Sequence, residues 1–68
     1  MRYAIVIEKT ANGFSGYVPD LPGCIAAGRD LRETEKLIRE AIEFHLDGMR
    51  QHGEQIPEPS AVAEYVNI

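Results

Sequence analysis

The sequence predicts an α+β domain of the order β-β-β-α-β, with a three-strand antiparallel meander, one helix packed on one sheet face, and a C-terminal strand that returns to the sheet. Three observations predict it. Short β-branched and aromatic runs are separated by Asn-Gly and Pro-Gly turn chemistry, a long segment after Asp30 carries apolar residues at spacings of three and four, and the chain closes on an alternating stretch.

Tyr3-Ala4-Ile5-Val6-Ile7 is an unbroken, partly β-branched run, too short for a stable helix, and reads as a first strand buried on both faces. Thr10-Ala11-Asn12-Gly13 supplies a hairpin turn, since Asn and Gly accept positive φ at little cost, and Phe14-Ser15-Gly16-Tyr17-Val18 resumes the strand pattern. Pro19-Asp20-Leu21-Pro22-Gly23 reverses the chain again. Both prolines fix φ, and the Pro-Gly pair suits a type II turn ahead of a third strand at Cys24-Ile25-Ala26-Ala27. Asp30 is placed to accept helix N–H bonds, and Glu33 to reach back in a capping box. The helix that follows has Leu31, Thr34, Ile38, Ala41, Ile42, His45, Leu46 and Met49 on one stripe. Gly53 is a left-handed stop, and Pro57 and Pro59 prevent the helix from resuming. Ala61-Val62-Ala63-Glu64-Tyr65-Val66-Asn67-Ile68 alternates as a fourth strand, with Val62, Val66 and Ile68 on one side, and a right-handed crossover places it beside the first.

Seven Lys and Arg stand against eleven Asp and Glu among 68 residues, giving a net charge of −4. Residues 1–68 are read as one domain without repeats or linkers. Dispersed cations and an acidic balance argue against general nucleic-acid affinity and favour a basic protein partner. A core of this size supplies only ~3 to 5 kcal/mol, and the lone Cys24 closes no internal disulfide. A homo-oligomer, dimer or tetramer, is therefore expected. The uncovered sheet face is its expected surface, with Val6 and Ile7 as the residues to test. No stretch approaches the ~18 consecutive apolar residues of a membrane span, so a cytoplasmic protein is the expectation.

The residues that carry chemistry elsewhere fall into structural roles here. Asp20, Glu8 and Glu64 are the acids on or near strands, and a two-metal carboxylate site needs several to converge within ~4 Å of paired ions. Asp20, however, sits in a Pro-rich turn where Asx side chains bond backbone N–H groups. Cys24 with His45 or His52 invites a thiol nucleophile, but the spacing gives no contact, and a Cys opening an inner strand is normally inert. His45 and His52 are seven apart, whereas helical metal pairs are three or four apart with a third ligand. His45 reads as a core-edge side chain with one nitrogen bonded. No metal, cofactor or catalytic residue is expected. The exposed helix acids Glu35, Glu40, Glu43 and Asp47 form a candidate partner-facing surface.

The motifs Pro19-Asp20-Leu21-Pro22-Gly23-Cys24, Ala27-Gly28, Glu40-Ala41-Ile42-Glu43-Phe44-His45-Leu46 and Gly53-Glu54-Gln55-Ile56-Pro57-Glu58-Pro59-Ser60 together resemble the N-terminal domain of HicB-type antitoxins, nearly end to end. The resemblance implies a reduced ribonuclease-H-like fold. It also implies an inhibitor of a small basic HicA-type toxin, which has a double-stranded-RNA-binding fold and cleaves mRNA with a histidine. Many members of that family continue into a DNA-binding module, whereas this chain stops at Ile68, so direct DNA binding is not expected. A working ribonuclease H site needs a carboxylate inside the first strand, and Tyr3 to Ile7 offer none. The alternatives are an orphan protein-interaction module and a weak metal-dependent nuclease using Asp20 with Glu8 or Glu64.

Overall fold

The computed structural model describes residues 1–68. Three antiparallel strands, β1 (Val6–Thr10), β2 (Gly13–Tyr17) and β3 (Ile25–Gly28), form a sheet in the order β1-β2-β3, followed by one helix, α1 (Leu31–Gln51). The register pairs Val6 with Tyr17, Ile7 with Gly16, Gly16 with Ala26 and Tyr17 with Ile25. The expected meander and helix are thus present. Pairing of the first strand begins at Val6 rather than Tyr3, and that strand is half-buried at its start and exposed toward Thr10.

Side chains alternate across the sheet, so every second position meets the helix. A Cβ built on Gly16 would lie 3.4 Å from Ile7 Cγ1 and 3.6 Å from Thr34 Cγ2, which puts Ile7 and Gly16 on the helix side. Val6, Tyr17 and Ile25 consequently point to the opposite face. Val6 and Ile7, named together as one surface, lie on opposite sides of the sheet, and only Val6 belongs to the helix-free face.

The turn between β2 and β3 contributes most of the core. Leu21 N–H donates to Val18 O at 3.0 Å and Cys24 N–H to Leu21 O at 3.0 Å, two consecutive β-turns, while Val18 N–H closes the base on Cys24 O at 3.2 Å. Gly23 takes φ +84°, the conformation a type II turn demands at that position. The double turn drives Leu21 inward to 0% exposure, where it joins Val18, Cys24, Ile38 and Leu46. The hairpin turn behaves differently from the sequence expectation. Neither Asn12 nor Gly13 uses a positive φ.

Both helix ends are closed by local bonds. Asp30 accepts the Glu33 N–H at 2.8 Å, while the Glu33 carboxylate takes the Arg29 N–H at 2.7 Å, one residue before the cap. That acceptor role, with the Arg29 side chain behind it, holds the Glu33 carboxyl below the usual carboxylate range. At the other end Gly53 has φ +70°, Gly53 N–H donates to Arg50 O at 3.1 Å and Glu54 N–H to Met49 O at 2.9 Å. This double bond pattern is a Schellman motif.

The expected fourth strand, Ala61–Ile68, does not form, and no residue beyond Glu54 takes part in a backbone–backbone hydrogen bond. The reason lies in where the helix sits. Helix α1 packs on β3 and β2, leaving β1 at its margin. A strand added outside β1 would gain ladder bonds without a helix to bury Val62 and Val66. The segment instead runs beside Arg2–Ile7, held at its start by side chains.

Candidate functional site

The solvent face of α1 carries the candidate site. Glu40, Glu43 and Asp47 succeed one another by three and four and form one exposed stripe along the helix. Glu35 lies apart from that stripe. With Arg39 and Glu43 it forms the rim of a groove of about 330 Å3 floored by Tyr3, Ile5, Ile38 and Ile42, so Glu43 belongs to both surfaces. The ion pairs of the protein are Arg29–Glu33 at 3.1 Å and Arg50–Asp47 at 3.2 Å. Glu35, Glu40 and Glu43 enter neither.

Phe44 stands inside this stripe at 82% exposure, a position the sequence reading gave no role. The signal was its phase. Ala41, Ile42 and His45 already occupy the packed side of that turn, so an apolar residue at 44 has to face outward. Beside it Pro22, His45, Gly48, Met49 and Glu54 line a shallow groove. His45 is half-buried there, and neither ring nitrogen has a hydrogen-bond partner. Phe44 is thus an exposed aromatic flanked by the carboxylates of Glu40 and Glu43 and by the Asp47–Arg50 pair.

The remaining sequence candidates are committed to structure. Both Asp20 carboxylate oxygens are engaged, Oδ2 accepting from Ser60 N–H at 3.0 Å and Ala61 N–H at 3.1 Å, and Oδ1 from the Ser60 hydroxyl at 2.9 Å. Asp20 therefore ties the β2–β3 turn to the C-terminal segment, and the Tyr3 hydroxyl adds a second tie by donating to Pro57 O. The Cys24 thiol is buried, and burial pushes its pKa up, which opposes thiolate chemistry. No three His, Cys, Asp or Glu side chains converge. No helix is long and apolar enough to cross a membrane.

The two amide donors and the hydroxyl of Ser60 hold the Asp20 carboxyl below the usual carboxylate range, the Ser60 N–H contributing most. A carboxyl with a lowered folded-state pKa stabilises fully above its unfolded value and loses that contribution as pH falls through the folded one. The tie should therefore persist through mild acid and release only below the ordinary aspartate range. Asp20→Asn should raise amide exchange at Ser60 and Ala61 at neutral pH while exchange in the α1 interior stays unchanged. Equal protection in both proteins would count against the tie.

A three-stranded meander with a buried double turn and one long helix, whose exposed side carries Glu40, Glu43, Phe44 and Asp47, makes a small α+β domain. The chain belongs to the HicB-like antitoxins of bacterial toxin-antitoxin systems, whose family model matches residues 3–68. It is 42% identical over 67 residues to a 14.9 kDa protein from the rep-hol intergenic region of Haemophilus phage HP1, covering 98% of this chain and 50% of that protein. It therefore spans half the length of that relative. A UPF0150 protein of Thermoplasma acidophilum is 36% identical over 62 residues, with 90% of each chain covered. Among solved structures, a chain of the HicA3 and HicB3 toxin-antitoxin complex superposes with a TM-score of 0.75 at 37% identity, covering 87% of this chain and 70% of that one.

Proposed function

We propose that this protein binds and neutralises a small basic HicA-type mRNA-cleaving toxin by covering its RNA-cleaving surface, and that the solvent face of α1 makes the contact. Family membership and the likeness to a chain of a toxin-antitoxin complex support the partner class. The observation that carries the choice of surface is Phe44, fully presented between Glu40, Glu43 and Asp47. A toxin surface that handles RNA is cationic. The Glu40 and Glu43 carboxylates steer it in, and the Phe44 ring, exposed in the free protein and covered on contact, then holds it. The protein acts in this reading by occupancy, without chemistry of its own.

The test is inhibition of RNA cleavage by a purified HicA-type toxin. Phe44→Ala should weaken the complex by roughly 30-fold, the equivalent of about 2 kcal/mol at a hot spot, mainly through faster dissociation. Glu40→Lys with Glu43→Lys should slow association and flatten its salt dependence. Full-strength inhibition by the Phe44→Ala protein would move the contact to another face. No inhibition by the unmodified protein would remove the toxin reading.

A further inference from the structure

Gly48 stands in the interior of α1 without a reason in the fold. A Cβ added there meets nothing within 4 Å, and its backbone is helical, since only Gly23 and Gly53 take a positive φ. A glycine in a helix interior costs stability relative to alanine, so the chain forgoes stability here and gains open space. That space is part of the shallow groove beside Phe44. Phe44, His45, Gly48 and Met49 surround it on the helix, Pro22 borders it from the β2–β3 turn, and Glu54 borders it from beyond the helix end. The bond from Glu54 N–H to Met49 O, at 2.9 Å, holds Glu54 back against the last turn.

We propose that this groove is a subsite for an arginine side chain of the partner. The stem lies over Gly48 and Met49, the guanidinium rests against the Phe44 ring, and its N–H groups donate to the Glu54 carboxylate. The subsite rests on the reading of α1 as the contact face and names what that face takes. The lining selects the occupant. It holds no Lys or Arg, and Glu54 enters neither ion pair of the protein. His45 is half-buried with neither ring nitrogen bonded, so the neutral ring offers a further acceptor. The groove floored by Tyr3 and Ile5 is different, because Arg39 stands on its rim with Glu35 and Glu43 and repels a cation. A guanidinium stacks on an aromatic face and forks onto a carboxylate, which suits these two walls better than the compact ammonium of lysine does. A site for a free small molecule buries most of its ligand, and a groove this shallow cannot. A side chain carried by a partner's surface needs no such enclosure.

The first measurement needs no toxin. N-acetyl-arginine amide titrated into the full chain should give saturable NMR shifts confined to the amides around Gly48, Met49 and Glu54, with a dissociation constant on the order of millimolar. Gly48→Leu, which fills the groove with a good helix former, should abolish them, and Glu54→Gln should weaken binding by roughly tenfold. The Gly48→Leu protein should also show a higher urea midpoint and yet inhibit a purified HicA-type toxin at least about tenfold less well. A more stable protein that inhibits less separates loss of the subsite from loss of the fold. Shifts that are absent, or that survive Gly48→Leu, overturn the inference, as does full-strength inhibition by the Gly48→Leu protein. Equal shifts with N-acetyl-lysine amide overturn the choice of arginine. Arginine binding without any toxin inhibition by the unmodified protein removes the toxin reading and supports the subsite for a different arginine-bearing partner.

Discussion

Leu21→Ala is expected to leave the protein largely unfolded at room temperature, with loss of the helical circular dichroism signal. The side chain is completely excluded from solvent and belongs to a core whose other buried apolar members are Val18, Cys24, Ile38 and Leu46. Truncating a buried leucine costs about 2 to 5 kcal/mol, depending on how far the surroundings collapse. Collapse is restricted here. Leu21 is held by the two consecutive turns and their bonds to Val18 and Cys24, so its backbone is not free to follow the shrinking side chain. A domain of this size holds only ~3 to 5 kcal/mol in total, so the loss is comparable with the whole. Leu21→Met, which keeps the volume, should retain the fold with a loss under about 1.5 kcal/mol. A folded Leu21→Ala protein with an unchanged urea midpoint would show that the double turn is not a core element.

Gly28→Ala is expected to be the second most damaging change, through crowding rather than a void. A Cβ at Gly28 would stand 2.6 Å from Thr34 Oγ1, 2.8 Å from Thr34 N and 3.1 Å from Thr34 Cα. Two of these atoms are backbone of the first helical turn, which cannot rotate away as a side chain could. Thr34 is itself fully buried, its hydroxyl and its N–H both donating to Asp30 O, at 2.8 and 3.0 Å. Admitting a methyl group means lifting α1 off β3 or breaking the bonds that start the helix. Overpacking of this kind costs about 1 to 3 kcal/mol. Gly48→Ala provides the contrast, because nothing lies within 4 Å of the added Cβ there. In the helix interior it should stabilise by roughly 0.5 to 1 kcal/mol. Urea titrations of the two alanine variants should move the midpoint in opposite directions, and a common direction would contradict the packing described for Gly28.

The elements whose cause is local were legible in the sequence. Asp30 with Glu33, the Pro22-Gly23 pair and Gly53 each fix backbone geometry within a few residues, and each terminus or turn stands where that chemistry puts it. The 3-4 spacing of Thr34, Ile38 and Leu46 likewise identifies the packed side of α1, because burial of a helix follows its period. What depends on relative placement was not legible. Alternation in Ala61–Ile68 is a necessary property of a strand but says nothing about whether a helix covers the position beside β1, and it does not. Val6 and Ile7 are equally apolar, and only the register against β2 separates the face of one from the face of the other. At the candidate site the acids were visible as acids. Their division into a groove rim at Glu35 and a stripe at Glu40, Glu43 and Asp47, with Phe44 between, needed the helix in place.

The Asp20 tie closes a loop of 40 residues between the turn after β2 and Ser60. In an open chain, joining two points so far apart is entropically costly, and the cost falls only once the intervening chain is already ordered. The span between them contains β3 and all of α1. These bonds accordingly close at low entropic cost only once β3 and α1 are in place, and they can open without disturbing the core beneath them. Because Ser60 and Ala61 follow β3 and α1 in the chain, a nascent chain can complete the double turn and the helix before the tie exists. The fold thus assembles from its N-terminal side, with a fastener that engages only after the helix has been made.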